Sequence, residues 1–109
     1  MHDPSRTGNE FFLCDFCRGH WDPDRPMVEG HQGSLICGSC LSAAYVCVVN
    51  LGQGEPAEPG RRCTMCLEER SDPFWISPAY PEARICGRCI RQAAGVLSKD
   101  PDSGWSRPT

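Results

Sequence analysis

Eight of the nine cysteines fall into four Cys-x-x-Cys pairs: Cys14/Cys17, Cys37/Cys40, Cys63/Cys66 and Cys86/Cys89. Nineteen residues separate Cys17 from Cys37, and nineteen separate Cys66 from Cys86. The equality marks an internal repeat with an offset of 49 residues. At that offset Phe16 meets Met65, Met27 meets Ile76, Ile36 meets Ile85, Gly38 meets Gly87, Leu41 meets Ile90, Ala44 meets Ala93 and Val48 meets Leu97. One small unit duplicated in tandem explains the pattern. A unit of about 40 residues cannot bury a core large enough to hold itself together and needs a metal, disulfide or partner as a staple.

Two Cys-x-x-Cys pairs at this spacing point to zinc. A tight turn brings both sulfurs of one pair to one side of an ion, and the second pair fills the other two corners of a tetrahedron at about 2.3 Å per Zn–S bond. Cofactor content is therefore expected to be two zinc ions per chain. One is held by Cys14, Cys17, Cys37 and Cys40, the other by Cys63, Cys66, Cys86 and Cys89. A disulfide framework fits less well, because the cysteine count is odd and no leader segment opens the chain. Iron in a rubredoxin-like site is the alternative metal. An interleaved cross-brace is the alternative pairing, which the equal gaps disfavour.

Local signals place these ligands. Phe11-Phe12-Leu13 reads as a short leading strand, and Cys14 to Gly19 as a knuckle in which Gly19 takes a positive φ. Met27–Glu29 and Ser34–Ile36 flank Gly30-His31-Gln32-Gly33 as a hairpin, and a helix opens at Cys37 and runs to about Asn50, stopped by Gly52. The second unit repeats this with a knuckle at Cys63–Cys66, strands at Phe74–Ile76 and Arg84–Ile85, and a helix from Cys86 to about Ser98. The helix N-terminus turns its amides toward the thiolates and stabilises their charge. The expected fold class is small α+β and metal-stabilised, with two tandem treble-clef zinc modules at 11–50 and 61–99. Residues 51–60, rich in Gly and Pro, form a linker, and 1–10 and 100–109 disordered tails.

Cys14-Asp-Phe-Cys17, the hairpin, then Leu35-Ile-Cys37-Gly-Ser-Cys40 and an apolar helix resemble the four-cysteine zinc-binding domain of ClpX chaperones, and Arg84-Ile-Cys86-Gly-Arg-Cys89 resembles the same element again. The resemblance implies zinc at the eight paired cysteines, a tendency of the module to dimerise, and contact with protein clients or adaptors. The ATPase that follows in that family is absent from this chain, the gap between pairs is one residue longer, and the module occurs twice.

The first helix, with Leu41, Ala43, Ala44, Tyr45, Val46, Cys47, Val48 and Val49, is apolar nearly all round, whereas the second shows a stripe at Ile90, Ala93, Ala94 and Leu97. Excess apolar surface on a small unit signals an interface. The modules are expected to pack as an intramolecular pseudo-dimer through Leu41, Tyr45, Val48, Ile90, Ala94 and Leu97, the rival being a homodimer between chains. Cys47 is expected as a small buried hydrophobe, and His20 and His31 as surface residues rather than ligands. Trp75 is expected as packing near the metal core. Trp105, in the tail, is the candidate anchor for a partner. Arg61, Arg62, Arg88 and Arg91 are expected to be solvated and to neutralise the thiolate clusters.

Charge and motifs narrow the function. The formal net charge is −3, and eight thiolates with two zinc ions make the loaded chain more acidic still, which disfavours nucleic acid as a partner. Residues 61–99 nonetheless carry seven basic residues against four acids, so a basic patch there keeps nucleic acid as the second reading. The only lysine is Lys99 and no phosphate-binding loop is present, which argues against ATP-driven work. Four thiolates per ion leave no open position for catalysis, so no enzyme is expected. No apolar run reaches the roughly 20 residues of a membrane span. The expectation is a cytoplasmic zinc module that binds a protein, such as a client or adaptor of a Clp-type chaperone or protease. A nucleic-acid-binding zinc finger and a redox-sensitive zinc–thiolate switch are the alternatives.

Overall fold

Each half of the chain begins with a tight turn closed by its own backbone. Cys14 N–H donates to Gly19 O at 2.9 Å and Arg18 N–H to Cys14 O at 2.8 Å; Cys63 and Leu67 make the matching bonds to Glu68 O and Cys63 O at 2.9 and 2.8 Å. The computed structural model describes residues 1–109, the side chains of Asn9 and Glu10 apart. The left-handed residue of each turn is Arg18, φ 64°, or Leu67, φ 63°, not Gly19 as expected. A side chain in that region costs about 1–2 kcal/mol, which the two turn bonds offset. At Gly19 a Cβ would meet only the mobile end of the exposed Arg25 side chain and lie 3.3 Å from Cys17 Sγ.

After each knuckle comes an antiparallel hairpin, then a helix. In the first half β1 (Met27–Glu29) pairs with β2 (Leu35–Cys37), and α1 spans Gly38–Tyr45. In the second half β3 (Phe74–Ile76) pairs with β4 (Arg84–Cys86), and α2 spans Gly87–Lys99. The continuous helix expected to Asn50 instead widens into a π-turn over Val46–Asn50, closed by Leu51 N–H to Val46 O at 2.9 Å. Three β-branched valines occupy this turn, where branching crowds a regular α-helix. Val48 is buried by it, while Val46 stays exposed.

The register corrects one feature of the repeat. Met27 faces Cys37, while Phe74 faces Cys86, so the structural counterpart of Met27 is Phe74 rather than Ile76. The second half reaches its first strand two residues sooner and spends two more in the hairpin turn, which conserves the total gap. The shift is even, so inward and outward faces are kept.

The halves share one core. Phe16, Ile36, Leu41, Ala44 and Val48 of the first half and Met65, Phe74, Ile85, Ile90, Ala93 and Leu97 of the second belong to a single buried cluster. α1 packs on α2, and α2 also meets β1. Leu41, Val48, Ile90, Ala94 and Leu97 are buried and Tyr45 is half-buried. Hydrogen bonds cross in both directions. His31 N–H donates to Met65 O at 2.8 Å. In return the buried Ser77 hydroxyl donates to Phe16 O at 2.7 Å and accepts from Tyr80 N–H at 3.1 Å. Phe16 stacks at a tilt on Trp75, ring centroids 5.8 Å apart. Arg18 lies over the Tyr80 ring at 4.4 Å and pairs with Glu82 at 2.9 Å.

The segments read as linker and tails take part in this packing. Glu55 exchanges two backbone bonds with Phe74, 2.7 and 2.8 Å. His2 stacks on Phe11 at 4.7 Å. Trp105, expected as an external anchor, turns inward: its indole N–H reaches Gly38 O at 3.1 Å and Ser42 Oγ at 2.9 Å. An indole has one donor and a large apolar body, and the N-terminal turn of α1 satisfies both.

Two glycines test this packing from opposite sides. A Cβ at Gly30 would lie 2.5 Å from Met65 O, whereas at Gly95, inside α2, the nearest atom is 3.9 Å away. Gly30→Ala should destabilise the chain by about 1–3 kcal/mol. Gly95→Ala should stabilise it by about 0.5–1 kcal/mol through helix propensity. Urea unfolding of the metal-loaded variants measures both.

Candidate metal centres

The fold brings each pair of Cys-x-x-Cys motifs together. The sulfurs of Cys14, Cys17, Cys37 and Cys40 lie within 4.8 Å of one another, and so do those of Cys63, Cys66, Cys86 and Cys89. The pairing is tandem, first with second and third with fourth. A tetrahedron with bonds of 2.3 Å has sulfur–sulfur edges of roughly 3.8 Å, and the Cys17–Cys37 separation is 3.7 Å. His20, His31 and Cys47 belong to neither group. The Cys47 thiol, expected to be buried, is half-buried: it packs against the edge of the core and donates to Gln53 O at 3.4 Å.

Knuckle and helix each contribute amides to the sulfurs. Phe16 N–H points at Cys14 Sγ and Gly19 N–H at Cys17 Sγ, both 3.4 Å. Cys37 N–H reaches Cys14 Sγ at 3.3 Å, and Cys40 N–H, in the first turn of α1, reaches Cys37 Sγ at 3.4 Å. Cys86 N–H reaches Cys63 Sγ at 3.4 Å. Amides aimed at sulfur favour the thiolate. The strand ladders hold this geometry: Asp15 N–H binds Leu35 O at 2.9 Å and Thr64 N–H binds Arg84 O at 2.8 Å, tying knuckle to hairpin.

The sulfurs share protons unequally. Hydrogen bonds with Cys14, then Cys40, push the Cys37 thiol down to about 4, while those with Cys14 and Cys37 push Cys40 up. In the second group bonds with Cys86 and Cys89 push Cys63 down to about 2. The Cys63 bond pushes Cys86 up to about 12, and Cys89 also goes up. These bonds thus favour charge on Cys37 over Cys40, and on Cys63 over Cys86 and Cys89. A divalent cation at the centre is what allows all four to ionise together. The donor set fits such an ion.

Two arginines that spacing did not single out lie beside the outer sulfurs. Arg25 packs over Gly19 next to Cys17. Arg70 pairs with Glu68 at 2.7 Å, and the nearby Cys66 sulfur, followed by Glu68, holds its guanidinium above the usual range. Arg61 instead binds Pro56 O and Glu58, and Arg84 binds Arg62 O. Arg25 and Arg70 stand eight and four residues after the second cysteine of their knuckles, so repeat alignment hides them.

A groove opens beside each centre, where the hairpin of one half meets the knuckle and helix of the other. The first, about 470 Å³, is lined by Phe16, Cys17, Cys40 and Ala43 with Trp75 and Pro78. The second, about 380 Å³, is lined by Met65, Cys66, Cys89 and Gln92 with Val28 and His31. The knuckle and helix positions correspond at the 49-residue offset, but the first groove carries Trp75 and a single charge, Arg25, while the second carries Glu29 and Arg88. Among the described residues, no helix is long and apolar enough to cross a membrane.

Native mass spectrometry should find two ions per chain, unchanged in Cys47→Ser. Structural zinc contributes about 10–16 kcal/mol of apparent binding energy, so chelation should abolish the cooperative unfolding transition. Arg70→Met should weaken metal retention at the second centre by about tenfold in competition with a chromophoric chelator. No family model, curated protein or solved structure matches the chain.

Proposed function

We propose that the chain is a non-catalytic, cytoplasmic protein-interaction module built on two zinc ions, its halves being treble clefs packed as a pseudo-dimer. Each four-sulfur group suits zinc, which takes four thiolates in a tetrahedron and has no redox chemistry of its own. The observation that carries the interaction reading is the first groove. It is open, mostly apolar and floored by Phe16 and Trp75, and it exists only because the two halves are joined. Grooves with aromatic walls accept apolar side chains of extended segments. The likeness of both motifs to the zinc-binding domain of ClpX chaperones supports a client or adaptor of a Clp-type chaperone or protease as the partner. In this reading the helix pairing within one chain replaces the pairing between chains. Four thiolates leave no coordination position for substrate, which supports a non-enzymatic role.

The tagged chain should capture a Clp-type chaperone, its adaptors or its clients from a native lysate, and chelator should abolish the capture. Ala43→Glu, at an exposed position on the first groove, should keep both zinc ions and lose the capture. Recovery that disappears with nuclease and falls steeply with salt would replace this reading with nucleic-acid binding.

A further inference from the structure

The two centres are equivalent in ligands and unequal in exposure. Cys17 is exposed, and the other three sulfurs of its group belong to buried or half-buried residues; in the second group Cys66 is half-buried. Cys17 lies on the wall of the larger groove with Cys37 and Cys40 beside it, so a small solute entering there meets sulfur directly. Its counterpart Cys66 is half-buried in the smaller groove, and since each outer sulfur has one arginine near it, Arg25 by Cys17 and Arg70 by Cys66, exposure is what separates the two. Reactivity of a thiolate toward oxidants follows its charge and its access to solvent.

We propose that Cys17 is a modification site for hydroperoxides, and that oxidation there discharges the first zinc ion while the second stays. The inference rests on zinc at both centres. The Cys17 thiolate attacks one peroxide oxygen. An S–O bond forms, the O–O bond breaks, the sulfur gives up two electrons and becomes a sulfenic acid, and the other oxygen leaves as hydroxide. The Cys37 thiolate, 3.7 Å from Cys17 Sγ, then attacks the sulfenic sulfur. An S–S bond forms and a second hydroxide leaves, so two thiolates and one hydrogen peroxide give one disulfide and two hydroxides. Only Cys14 and Cys40 then remain as thiolates, and two ligands do not retain the ion. Phe16, between Cys14 and Cys17 on the floor of the groove, loses its anchorage with the knuckle. Oxidation of the first centre therefore dismantles the apolar groove and leaves the second half's own metal in place.

The test uses the full chain loaded with two zinc ions, treated with one equivalent of hydrogen peroxide and followed by native mass spectrometry and peptide mapping. The expected product holds one zinc, is two hydrogens lighter than the reduced one-zinc chain, carries a Cys17–Cys37 disulfide, and forms at least about tenfold faster than any product of the second centre. Cys17→His keeps a four-ligand Cys₃His centre and should retain both ions under the same treatment. The mapping of the unmodified sequence decides the matter even if that variant does not fold. Loss from the second centre first, equal loss from both, or a disulfide lacking Cys17 overturns the inference while leaving the zinc reading intact. A starting mass with fewer than two zinc ions overturns the zinc reading itself.

Discussion

Everything in this molecule depends on four sulfurs meeting within a shell narrower than 5 Å, twice. Ionised sulfurs at that distance repel strongly in a low-dielectric surrounding, so the arrangement is stable only with a cation at its centre or with protons shared among the thiols. The sulfur cluster in turn decides the topology. An ion held there would join a knuckle to a helix N-terminus across the nineteen intervening residues and so fix both ends of the hairpin. The three-residue strands of that hairpin are too short to be stable alone. Amide-to-sulfur bonds from both the knuckle and the first helical turn wrap the backbone around the centre.

Packing then makes the halves dependent on each other. Neither half buries enough apolar surface to form a core, and the single cluster running from Phe16 through Leu41 to Ile90 and Leu97 is built from both. The crossing bonds are not symmetric in kind. A bare amide serves at His31, where the neighbouring glycine allows close approach to Met65, and a serine hydroxyl serves at the matching place in the other half. Duplication of one unit thus ended in two interlocked parts with different edges. The same divergence left one groove with aromatic walls and a lone arginine, and the other with charges of both signs.

What could be read from the residues followed the strength of the signal. Cysteine spacing specifies ligand sets because covalent chain length limits which sulfurs can meet, so the four-sulfur groups and the order of knuckle, hairpin and helix were legible. Features set by tertiary contact were not. The left-handed residue of the knuckle falls on Arg18 and Leu67, whose side chains give no sign of it. The arginines beside the outer sulfurs occupy different offsets in the two halves. Trp105 lies far along a polar segment, and nothing local announces that it packs on the first helix. The π-turn at Val46–Asn50 depends on how Val48 meets the shared core.

The displaced first strand has a consequence for how such duplicated units drift apart. Between fixed anchor points, the chain traded two residues from one side of a strand to the other without altering the distance between anchors. A trade of one residue would have turned Phe74 outward and carried a polar neighbour into the interior, because successive strand side chains face opposite ways. Sequence change in this segment is therefore quantised: residues are gained and lost in twos, with a matching loss or gain beyond the strand. Two copies can then differ in every loop length and still superpose at the anchors. Their common descent is recorded by the parity of the insertions rather than by residue identity.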